Sequence, residues 1–183
     1  MRPRRAVRWV PALVATALAT GCASVAAYQA DLAKWQALAD RATERANQPR
    51  VIVKPVSGST GRYDCGDNRV LFGTDGNPRW LLAHELGHYV MHHCDPQPWA
   101  VALAQEKAAN RFAVETLQLW GATEEQAVRD TVLQLLLTRR LRPRPQHGHD
   151  YCAEAVDVLR RHPQVADPRP PGDSTCAAEL AGR

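Results

Sequence analysis

Between Trp80 and His93 the chain runs Trp-Leu-Leu-Ala-His-Glu-Leu-Gly-His-Tyr-Val-Met-His-His, an apolar stretch without proline that reads as a helix. It carries His84-Glu85-Leu86-Gly87-His88. Residues four apart on a helix stand one above the other, so both imidazoles reach one metal ion. Glu85, one step round from His84, then addresses water at that ion. A catalytic metal site takes three protein ligands and keeps one position open. A fold containing this helix must therefore lay a second element across it. With 7 His and 8 Glu in 183 residues, chance alone gives such a pentapeptide in about one chain per hundred. Leu81, Leu82, Leu86 and Val90 back it with apolar surface, and Gly87 permits close approach of a neighbour.

The next helical stretch offers the third ligand. Glu106 lies 18 residues beyond His88, room for a turn and a returning helix, and Asn110 follows four residues later on the same face, placed to orient a ligand by hydrogen bonding. Ala109 and Ala113 keep that face thin. Glu115 is the rival, but Leu119 stands where its orienting partner belongs.

His84-Glu85-Leu86-Gly87-His88 followed by Glu106, Ala109, Asn110, Phe112 and Ala113 resembles the gluzincin metallopeptidases, and most of all their ImmA/IrrE-like branch. The resemblance covers about Trp80 to Leu117. It implies an α+β, mainly helical zincin-like domain with a small β-sheet before the active-site helix. It also implies zinc held by His84, His88 and Glu106, and Glu85 as general base in hydrolysis of a protein or peptide substrate by a metal-activated water. The strand around Val70 to Phe72 is the candidate to hold substrate as an added strand. Tyr151, His147 and His149 are candidate oxyanion stabilisers, each expected to be uninvolved. His92 extends the metal-facing stripe but is expected to hydrogen-bond or face solvent, and His93 has less claim. A non-catalytic zincin-like lipoprotein that binds a partner protein is the alternative; a purely structural site has no need of Glu85.

The N-terminus speaks to destination. Met1 to Arg8 is cationic, Val10 to Thr20 is apolar and, at 11 residues, too short for the ~20 a membrane-spanning helix needs. Leu18-Ala19-Thr20-Gly21-Cys22 resembles the bacterial lipoprotein box, with Leu one residue earlier than usual. This implies a signal peptide over 1–21, a lipid anchor on Cys22 and a periplasmic lipoprotein of the cell envelope, at the outer membrane because Ala23 follows the cysteine; plain secretion is the alternative. The formal charge of +4 rests on Arg2, Arg4, Arg5 and Arg8. Without them 19 basic residues face 19 acidic ones, so the balance gives no ground for nucleic-acid binding. Lipidation of Cys22 leaves Cys65, Cys94, Cys152 and Cys176, enough for two disulfides in an oxidising compartment, with three connectivities open.

Residues 22–48 read as an amphipathic helix on Val25, Tyr28, Leu32, Trp35 and Ala39, either a spacer or part of the fold. The domain spans 49–162. Arg50–Val56 reads as a strand with Pro55 at its end or on an edge, and Arg62–Phe72 as two strands broken at Cys65–Asn68. Helices are expected over Arg79 to about His93, Pro98 to Trp120, Thr123 to about Arg139 with a Thr123/Gln126 capping box, and Tyr151 to Arg161 capped by His149 or Asp150. Arg139 to Arg144 reads as a solvated, basic helix end, with anionic lipid headgroups as its other possible contact. From Pro163 a loose Pro-rich tail is expected over 163–183, pinned at most by Cys176.

Overall fold

The computed structural model describes residues 10–94, 97–142, 144 and 148–182, with side chains from Tyr28 onward. The arginines of the first eight residues, the Cys22 side chain, Asp95-Pro96 and His147 lie outside that description. In order, the elements are α1 (Val10–Arg45), β1 (Ile52–Val56), β2 (Gly61–Asp64), β3 (Arg69–Gly73), α2 (Pro78–Val90), α3 (Trp99–Leu119), α4 (Glu124–Leu141), α5 (Tyr151–Arg161) and α6 (Ala177–Ala181). The fold is α+β and mainly helical, with a small three-stranded sheet ahead of α2. No helix among the described residues is long and apolar enough to cross a membrane.

The sheet order is β1-β3-β2, with β1 parallel and β2 antiparallel to β3. Val70 and Phe72 of β3 are fully buried, as the centre of a covered sheet demands. This corrects one expectation. The strand around Val70 to Phe72 is central and has no free edge to offer a peptide; the edges belong to β1 and β2. Pro55 sits in β1, where the edge position tolerates its missing N–H.

The β1 edge is closed by α1. Gln36 lies across it: its Nε2 donates to the Val51 carbonyl (2.8 Å) and its Oε1 accepts from Val53 N–H (3.1 Å). One side-chain amide thus imitates a strand partner. Trp35 packs edge-on against Phe72 at 5.2 Å, and Ala39 and Ala42 are buried. The C-terminal half of α1 is therefore part of the fold. Tyr28 is 54% exposed, so the packed face starts near Leu32 rather than at Tyr28.

Local signals place the remaining helices. Asn77 accepts from Trp80 N–H and Pro78 opens α2. Thr123 and Gln126 form a reciprocal capping box on α4 (3.0 and 3.2 Å). Asp150, not His149, caps α5 by accepting from Ala153 N–H. Disulfides join Cys65 to Cys94 and Cys152 to Cys176, which points to an oxidising, non-cytoplasmic location. The C-terminal segment is held by more than Cys176. Val165 and Leu180 are buried, and Arg140 pairs with Asp173 and donates to Thr175 Oγ1. Its apolar residues were too sparse to signal this packing.

Candidate metal centre

The site forms where α2 crosses α3. A Cβ on Gly87 would lie 2.9 Å from Ala109 Cα, so only glycine allows this approach, and Ala109 keeps the opposing surface thin. The crossing brings Glu106 over the two histidines. His84 Nε2 and His88 Nε2 are 3.1 Å apart, and Glu106 Oε2 lies 3.2 Å from the first and 3.3 Å from the second. Donors bonded at 2.0–2.2 Å to one tetrahedral ion stand about 3.3–3.6 Å apart. The three separations lie at or within about 0.2 Å under that range, and the three residues could hold a metal ion. Glu106 Oε2 is buried and accepts no aligned hydrogen bond among the described residues, as expected of an oxygen shaped for a cation. Glu115 is exposed on the far side of α3 and takes no part.

The other nitrogen of each imidazole is also occupied. His84 Nδ1 donates to Asn110 Oδ1 at 3.0 Å, and Asn110 is fully buried. His88 Nδ1 lies 3.0 Å from His93 Nδ1. Asn110 thus keeps the proton of a neutral His84 on Nδ1 and makes Nε2, which faces Glu106, the nitrogen available to a metal; the same holds for His88 when it is the donor to His93. His93 takes the place beside the site that the helical stripe suggested for His92. The reason is local: α2 stops at Val90, His92 adopts φ +53°, and His93 N–H folds back onto the His88 carbonyl (3.0 Å). His92 is left exposed.

A second layer comes from α5. Glu154 is fully buried; its Oε2 accepts from Asn110 Nδ2 (2.7 Å) and its Oε1 lies 3.2 Å from His149 Nδ1. His149 Nδ1 is also 3.4 Å from Glu106 Oε2, so Glu106, His149 and Glu154 form another group able to hold a metal, sharing Glu106 with the first. Sequence reasoning named His149 as a weak candidate and missed Glu154. A signal existed: Glu154 shares its helix face with Tyr151, Ala155 and Val158, all buried, and a carboxylate on an apolar face calls for partners.

A cleft of about 200 Å³ opens beside the site, walled by Thr60 and Gly61, by Leu81 and Glu85, by Leu137 and Leu141 of α4, and by His149 and Tyr151. Tyr151 stacks on His149 at 4.9 Å. Glu85 is 6% exposed and faces Gly61, where a Cβ would fall 2.6 Å from its Oε1.

The charges reinforce one another. Burial disfavours a charged His84, but the Glu106 carboxylate outweighs it, with Glu85 and Glu154 adding to the pull, and raises the His84 pKa to about 9. Burial pushes Glu106 upward, yet the two imidazoles hold it well below the usual carboxylate range. Desolvation raises Glu85 against the pull of His84 and His88. Burial and the neighbouring His88 lower His93 to about 4, so it is neutral above that pH. Desolvation raises Tyr151 despite nearby Arg142, keeping it a phenol.

No family model, curated protein or solved structure matches this chain.

Proposed function

We propose that this chain is a zinc-dependent metalloendopeptidase of the bacterial cell envelope, of the gluzincin type and similar to its ImmA/IrrE-like branch. The observation that carries the reading is the convergence of two imidazole nitrogens and one carboxylate oxygen, 3.1–3.3 Å apart, beside a buried Glu85 in an open cleft. Two nitrogens and an oxygen at tetrahedral spacing suit zinc. Zinc bound by His84, His88 and Glu106 supplies a Lewis acid that acidifies water and polarises a carbonyl.

The chain's own residues supply the rest. Glu85, with its pKa raised by burial, takes a proton from the attacking water on its carboxylate and delivers it to the leaving amine nitrogen. The bond broken is C–N and the bond formed is C–O, so acid and amine are the products. A peptide extended along β2, the edge that α1 does not cover, passes Gly61 and so comes alongside Glu85. Tyr151, stacked on His149 and kept a phenol by burial, lines the same cleft and is the residue suited to donate a hydrogen bond to the developing oxyanion.

Export and lipidation at Cys22 complete the proposal. They leave residues 22–45 as a helix whose far half packs on the domain and whose near half spaces it from the membrane. The test is Glu85→Gln. The variant keeps stoichiometric zinc and loses hydrolysis of an unfolded protein by at least about 100-fold. Equal hydrolysis by variant and parent defeats the reading.

A further inference from the structure

We propose that Glu154 is a positioning residue: it sets the direction of a hydrogen-bond chain from cleft to metal, fixing His84 and His149 each with its proton on Nδ1. The proposal rests on reading His84, His88 and Glu106 as a metal centre. Its starting point is that Glu154 is fully buried and meets both Asn110 (2.7 Å) and His149 (3.2 Å). A carboxylate only accepts hydrogen bonds, whereas an amide both donates and accepts. Facing Glu154, Asn110 must present its Nδ2, which turns its Oδ1 to His84. His84 must then donate from Nδ1, so that in its neutral form the lone pair is left on Nε2, facing His88 and Glu106. On the other arm, His149 donates from Nδ1 to the same carboxylate and leaves Nε2 free of a proton in its neutral form.

Only an acceptor-only group at the junction gives both arms this polarity. Glutamine at 154 offers one acceptor and one donor. If its nitrogen faces Asn110, the Asn110 amide turns over, donates to His84 Nδ1 and drives the His84 proton onto Nε2, where the metal belongs. The other placement, nitrogen toward His149, strips the proton from that ring's Nδ1 and sets its lone pair 3.4 Å from the Glu106 carboxylate oxygen, so the first placement is the one the site favours. Moving the acceptor-only group one link along restores the order. With Asn110→Asp and Glu154→Gln together, the carboxylate introduced on α3 accepts from both His84 and the new amide, and that amide's oxygen accepts from His149. The total charge is unchanged and the volumes are nearly so.

Zinc and cobalt affinities, measured by competition with a chromogenic chelator, and the visible spectrum of the cobalt form test this. Glu154→Gln is expected to hold either ion about 10- to 100-fold more weakly and to alter the cobalt spectrum. The paired Asn110→Asp/Glu154→Gln variant recovers most of the affinity and the parent spectrum, which a role in packing alone does not predict. Glu154→Gln binding as tightly as the parent overturns the proposal, as does a paired variant no tighter than Glu154→Gln. Should Glu154→Gln not fold, the paired variant against the parent decides: matching affinity supports the chain and weak binding refutes it. A parent that binds neither ion overturns the metal centre and this proposal with it, whereas a binding parent with an equally binding Glu154→Gln overturns this proposal alone.

Discussion

His84 and His88 belong to one helix and converge on one carboxylate, yet the Nδ1 of each is held in a different kind of place. On the His84 side the partner is Asn110, fully buried on α3, which is held in turn by the fully buried Glu154 on α5. On the His88 side it is His93, half-buried on a turn just past α2, one residue from the Cys65–Cys94 disulfide. One half of the site is fastened by core packing between helices distant in sequence. The other is fastened by a covalent clip from the β2–β3 turn onto a surface loop. A pentapeptide motif thus specifies where two imidazoles point only roughly, and two unrelated parts of the chain finish the job. The buried half should be the more brittle.

Alanine at each support is the strongest way to break that contrast. Asn110→Ala leaves Glu154 Oε2 and His84 Nδ1 without these partners at buried positions, a loss of about 2 kcal/mol of stability. Zinc affinity should fall about 100-fold, the upper end for removing a partner that orients a ligand. His93→Ala opens a half-exposed position that water can fill. Its zinc affinity should fall about tenfold, with stability within about 0.5 kcal/mol of the parent. Thermal melts of the metal-free proteins and chelator competition measure both quantities. Equal losses in the two variants would end the distinction.

Disulfide removal sharpens the same contrast with a smaller effect on metal. Cys65 and Cys94 are 29 residues apart, Cys152 and Cys176 are 24 apart, and either loop contributes about 3 kcal/mol in the chain-entropy view. Stability alone does not tell them apart. Their reach to the metal does. Cys65→Ser/Cys94→Ser frees the turn that carries His93, so zinc affinity drops by about the tenfold of His93→Ala, and adding His93→Ala to it changes little. Cys152→Ser/Cys176→Ser should leave zinc affinity unchanged, because Ala155, Val158 and Leu159 keep α5, and hence Glu154, in the core. Weaker zinc binding in this second pair would show that the buried half also depends on a covalent clip.

The contrast also separates what could be read in the chain from what could not. His84, Glu85, His88, Glu106 and Asn110 follow from helical spacing, because α2 and α3 each put their site residues on one face and Gly87 and Ala109 mark the crossing. The three strands, the capping box and the main helices were legible for the same local reason. What was hidden depended on distance or on where a helix stops. The sheet order, which makes β3 central, is a tertiary outcome of β1 and β2 pairing on either side of it. Glu154 lies 44 residues beyond Asn110, and no spacing rule connects them. His93 replaced His92 because α2 ends at Val90 and His92 takes a left-handed conformation, and helix ends are the least determined feature of an apolar run.

The least drastic test changes only pH. In the metal-free protein His84 and Glu106 form one ion pair, counted once. The His84 pKa rises from 6.5 to about 9, and Glu106 is depressed from 4.5. A raised base stabilises fully below its unfolded value and loses that contribution as pH climbs through the folded one. A depressed acid stabilises above its unfolded value and loses that contribution as pH falls. The pair therefore supports the metal-free fold best between 4.5 and 6.5, and its support fades as pH rises toward about 9. On the function proposed above zinc works the other way, since it would bind His84 only after the proton has left. The zinc-induced rise in melting temperature should accordingly grow from pH 6.5 up to about 9, with proton release to match. His93, lowered to about 4, is already neutral throughout that window and contributes no slope to it. The growth with pH should thus survive His93→Ala intact. If His93→Ala flattens it, the titrating element lies on the surface half of the site, and the division between a buried, charge-bearing His84 and a neutral, clipped His93 is wrong.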